Sequence, residues 1–65
     1  MKIVVNGEKI DVKGTTLAAV LDELGHGGAK VATAVNEDFV PAALRETTEL
    51  DAGDRVEIVA PRQGG

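Results

Sequence analysis

One segment of this chain, and only one, carries a full helical stripe. Leu17, Val20, Leu21 and Leu24 recur at i, i+3, i+4 and i+7, with Asp22 and Glu23 off the stripe. Most other apolar residues fall in short runs with the period of strands. A single amphipathic helix covers one face of a sheet and leaves the other to solvent, so the expected class is α+β, one helix packed on one face of a mixed sheet. With 65 residues there is room for one domain. Its core must be thin, since a domain of ~60 residues buries only about 60 % of its unfolded surface.

Residues 2–6 and 9–13 read as the first two strands. Ile3 and Val5 fall on one face and Val4 on the other, and Ile10 and Val12 alternate with Lys9, Asp11 and Lys13. Asn6-Gly7-Glu8 between them is a hairpin signal, because Asn and Gly tolerate the positive φ of tight turns. Gly14 breaks the second strand, and Thr15 or Thr16 can cap a helix over about 16–24 that Gly25 stops. Residues 31–35 read as a third strand, Asn36-Glu37-Asp38 as a turn, and Phe39 and Val40 as a short fourth strand that Pro41 ends. The segment 42–50 is ambiguous, with a helical turn plausible at its start. Asp51-Ala52-Gly53-Asp54 is a turn and 55–60 the last strand. The expected core is Ile3, Val5, Ile10, Val12, Leu17, Val20, Leu21, Leu24, Val35, Val56 and Ile58. The outward face of the sheet would carry Val4, Ala34 and Val59. Residues 1–60 are thus expected to form the domain, and 61–65, which hold no packing signal, a mobile tail.

Composition removes whole classes of function. The chain has no cysteine, one histidine and one aromatic residue, Phe39. Disulfides, cysteine-ligated metals and thiol catalysis are impossible. A single aromatic cannot make a base-stacking platform. Seven basic against eleven acidic residues give a net charge of −4, which repels nucleic acid and anionic membranes. No apolar run approaches the ~20 residues that span a bilayer. The opening Met1-Lys2-Ile3-Val4-Val5-Asn6 lacks signal-peptide organisation, so a cytoplasmic protein is expected. His26, among glycines, reads as a solvated loop residue. The acidic residues lack the spacing of a calcium loop, and Gly25-His26-Gly27-Gly28 lacks the Lys-Ser/Thr of a phosphate loop. No metal site and no catalytic residue emerge.

Five features in this order resemble one family: Ile3-Val4-Val5-Asn6-Gly7; Gly14-Thr15-Thr16-Leu17 with Leu21; Ala34-Val35-Asn36 followed by Phe39-Val40-Pro41; Leu50-Asp51-Ala52-Gly53-Asp54-Arg55-Val56-Glu57-Ile58; and Gly64-Gly65. Together they resemble the sulfur carrier proteins of thiamine thiazole biosynthesis, which have the β-grasp (ubiquitin-like) fold. The resemblance spans the whole chain. The chain departs in the glycine-rich loop and in Phe39, which stands where the family commonly has a smaller or aliphatic residue.

The resemblance implies a carrier, not an enzyme. In such carriers an ATP-Mg-dependent adenylating enzyme activates the terminal carboxylate, here that of Gly65, to an acyl-adenylate. A sulfur donor of the cysteine desulfurase persulfide type then leaves a thiocarboxylate, and thiazole synthase takes the sulfur. The carrier itself binds no cofactor. Arg62, Gln63 and Gly64 would form the tail that enters the partner's active site. Glycine brings no side chain into a narrow channel, and five extended residues reach ~16–18 Å. The resemblance also implies partner docking through Val4, Ala34 and Val59. Alternatives are the small subunit of molybdopterin synthase, another thiocarboxylate sulfur carrier, and a ubiquitin-like protein modifier. The sequence Ala60-Pro61-Arg62-Gln63 before the glycines favours the thiazole branch.

Overall fold

The first two strands form as the alternation requires. In the computed structural model, β1 (Lys2–Val5) and β2 (Glu8–Asp11) pair antiparallel around Asn6 and Gly7. Both turn residues take positive φ, 50° and 85°, the conformation whose twist matches that of the flanking strands. The structure describes residues 1–27 and 30–60. The expected mobile tail, 61–65, and Gly28 of the glycine loop lie outside the described residues.

β2 is displaced toward the turn from the expected 9–13. Val12 extends the pairing through reciprocal backbone bonds with Met1, each 2.8 Å. Past it the ladder stops because the next two amides find another acceptor. The Lys13 and Gly14 N–H groups donate to the Glu23 carboxylate at 2.9–3.0 Å. Those bonds, Gly14 foremost, hold the Glu23 carboxyl below its ordinary value.

Helix α1 (Leu17–Glu23) is capped at both ends by its own sequence. Thr16 is the N-cap and accepts from Ala19 N–H through Oγ1 at 3.2 Å. Leu17 N–H donates to Thr48 O and Ala18 N–H to Arg45 O, so the first-turn amides are satisfied. At the far end Gly25, at φ 86°, lets its N–H reach Asp22 O while His26 N–H reaches Leu21 O, a Schellman closure.

β3 (Ala32–Val35) and β4 (Asp38–Val40) form a second hairpin around Asn36 and Glu37, and a 3-10 turn follows at Ala42–Leu44. β5 (Arg55–Val59) completes a five-stranded mixed sheet in the order β2-β1-β5-β3-β4. β5 runs parallel to β1 and antiparallel to β3. With α1 the one α-helix among the described residues, packed beside this sheet, the architecture is the expected β-grasp.

The core is Ile3, Val12, Leu17, Val20, Leu21, Val40, Leu50, Val56 and Ile58. Four expected members, Val5, Ile10, Leu24 and Val35, pack against it only partly buried. The helix has seven residues, about 10 Å of cover, too little to roof the sheet to its rim. Val40 and Leu50 take the places left. Leu50 is drawn in because its N–H bonds Thr15 O and Thr16 bridges Glu49, which ties the irregular segment to the start of α1. Thr33 is the one buried polar residue among those described. Its hydroxyl donates to Val40 O and accepts from Arg45 Nε, and Arg45 also donates to Val31 O. A buried hydroxyl is tolerated because it is fully bonded.

Candidate functional site

The candidate contact regions are the sheet face away from α1 and β5, the strand that leads toward the C-terminal residues. β5 is central in the sheet, and its alternation sends Val56 and Ile58 inward and Arg55, Glu57 and Val59 outward.

The end of β5 is held on both sides. Toward β3 the pairing runs out to Ala32 opposite Val59. Toward β1 the backbone register stops at Val5 opposite Val56, because Asn6 turns into the hairpin. The Asn6 side chain then stands in for the missing strand. Its Nδ2 donates to Ile58 O at 3.1 Å and its Oδ1 accepts from Ile58 N–H at 2.8 Å, while its own N–H donates to Val56 O. Asn36 does the same at the start of β5, accepting from Arg55 N–H through Oδ1 and donating to Asp54. Nothing in the alternation of the strands announced this double clip. The signal in the sequence is the Asn in each hairpin turn, whose carboxamide can bond β5 as well as favour the turn.

Gly65, Gly64, Gln63 and Arg62 lie outside the described residues. Val4, Ala34 and Val59 all project from the outward face, but they do not form one cluster. Ala34 and Val59 line a shallow hollow with Ala32, Phe39 and Glu57. Val4 lines a separate one with Gly7, Glu37, Arg55 and Glu57. Glu57 borders both, and Arg55 forms an ion pair with Glu37 at 3.5 Å. A row of charges thus divides Val4 from the other two. Phe39 is exposed too, because Val40 beside it points inward and the period of two turns the ring out. Among the described residues no group of three His, Asp or Glu side chains is placed to hold a metal. No helix there is long and apolar enough to cross a membrane.

Comparison with known proteins agrees with this architecture. A sulfur carrier protein ThiS from Thermus thermophilus is 40 % identical over 60 residues, 92 % of this chain and 94 % of that protein. A thiazole synthase from Paramagnetospirillum magneticum is 39 % identical over 66 residues, which cover all of this chain and 20 % of that protein. The crystal structure of a thiamine biosynthesis protein, ThiS, from Geobacter metallireducens superposes with a TM-score of 0.85 at 26 % identity, each chain covered completely. The sequence model of the ThiS family matches residues 3–65, and the chain belongs to that family.

Proposed function

We propose that this ThiS-family sulfur carrier acts through the carboxylate of Gly65. A carboxylate oxygen attacks the α-phosphorus of ATP, bound with Mg in an adenylating enzyme, and pyrophosphate leaves. The terminal sulfur of a donor persulfide then attacks the acyl carbon and AMP leaves. A thiol cleaves the resulting S–S bond, and the thiocarboxylate so formed is the sulfur that thiazole synthase consumes. The chain supplies no catalytic group; its part is to present a reactive end on a small rigid body.

The observation that carries this reading is that the family match runs through Gly64 and Gly65. The central position of β5 supports it, because a strand held on both sides fixes where the last residues begin. That a segment like this chain forms a fifth of a thiazole synthase supports that enzyme as the sulfur's destination. The outward sheet face, with Val4, Ala34 and Val59, is the docking side.

Intact-mass measurement of the protein from its own cell is the direct test. The expected result is a species in which one terminal oxygen is replaced by sulfur. Deletion of Gly65 should abolish ATP–pyrophosphate exchange by the adenylating enzyme; exchange at the wild-type rate would sink the reading.

A further inference from the structure

Among the described residues three large apolar side chains are well exposed, and two of them, Phe39 at 70 % and Val59 at 61 %, line the same hollow. Ala34 stands directly opposite Phe39 on the neighbouring strand, and Ala32 opposite Val59. These small neighbours cannot cover the ring. Single exposed apolar residues are ordinary, but an aromatic and a valine sharing one hollow make a patch. We propose that Phe39 anchors the docking of this chain on its adenylating enzyme, inserting into an apolar pocket while a basic side chain of that enzyme faces Glu57. The proposal rests on the carrier function above.

Two features select this occupant. Val59 is the last residue of β5, and the six residues from it to Gly65 reach at most ~20–22 Å. A protein that receives the Gly65 carboxylate in a cleft therefore sits close against this hollow. The second feature is charge. Arg55 is engaged by Glu37, so the row Glu37, Arg55 and Glu57 presents one carboxylate in excess, which calls for a cation across the interface. A second copy of the chain fits less well. A two-fold contact is self-complementary, so it would bury the excess carboxylate of both copies without supplying a cation for either, in a protein of net charge −4. Aromatic residues are the enriched type at the centres of such interfaces, where truncation costs a factor of ten or more.

The test is ATP–pyrophosphate exchange with the full chain as varied substrate of the adenylating enzyme. Phe39→Ala is expected to raise KM for the carrier about tenfold with kcat unchanged, since it removes binding that is equal in ground and transition states. Glu57→Lys should raise KM as well, and the rise should shrink at high salt. Both variants should melt as wild type does. Exchange by the wild type with the same KM for Phe39→Ala overturns the docking proposal and leaves the carrier function standing. No exchange by the wild type overturns both. A dimer in sedimentation that Phe39→Ala dissolves would assign the face to a second copy, and would equally overturn the proposal.

Discussion

Asn6 shows how much a single residue does in so small a domain. It takes the left-handed conformation of the hairpin turn, at φ 50°, which Asn tolerates better than most residues. Its carboxamide also replaces two backbone partners of Ile58. Asn6→Gly separates these roles, because glycine keeps the conformation and loses the carboxamide. We expect a loss of about 1–2 kcal/mol in stability, measured by urea unfolding, and faster hydrogen exchange at Ile58 N–H. Unchanged exchange there would mean that the pairing with β3 alone holds the strand. Arg45 is a comparable device in the irregular segment, tying it to Thr33 and Val31.

At the scale of elements, α1 and the start of its loop are joined by the Glu23 carboxylate. Its carboxyl is held below the ordinary value of 4.5 by the Gly14 and Lys13 N–H groups. A lowered folded-state value means stability that is present above the unfolded value and lost as pH falls through the folded one. Glu23→Gln should therefore be less stable than wild type at neutral pH. The gap in thermal midpoint should close as the pH is taken well below 4.5; a gap of constant size would show that the charge contributes nothing. Leu21 is the other critical part of this element, 4 % exposed within the core. Leu21→Ala should cost about 2–5 kcal/mol, and a small domain has only ~5 kcal/mol to lose. We expect a melting temperature lowered by about 10 °C or more, measured by circular dichroism.

The whole molecule separates folding from chemistry. Among the described residues the core runs from Ile3 to Ile58, whereas the proposed reactive group is at Gly65. On the proposed function, Gly64→Val should leave the melting temperature unchanged and abolish exchange with the adenylating enzyme, because a β-branched side chain stiffens the backbone and would obstruct the narrow channel proposed to receive the tail. Exchange at the wild-type rate would show that the channel accepts side chains, and would remove the reason for paired glycines.

The order of elements, the hairpin turns, the capped helix and most of the core were legible in the sequence. Each rests on local physics: the periods of two and of 3.6, Asn and Gly at positive φ, Thr16 as a cap and Gly25 as a stop. The proposed reactive end was legible through resemblance, because a paired glycine means little without its setting. Tertiary structure decided what depends on neighbours distant in sequence. It placed Leu50 in the core through bonds to Thr15, left Val5, Ile10, Leu24 and Val35 at the rim of a short helix, and ended β2 early through Glu23. It also set Glu57 and Arg55 between Val4 and the pair Ala34 and Val59. Alternation along a strand tells which face a side chain takes. Only the order and register of the strands tell which side chains meet there.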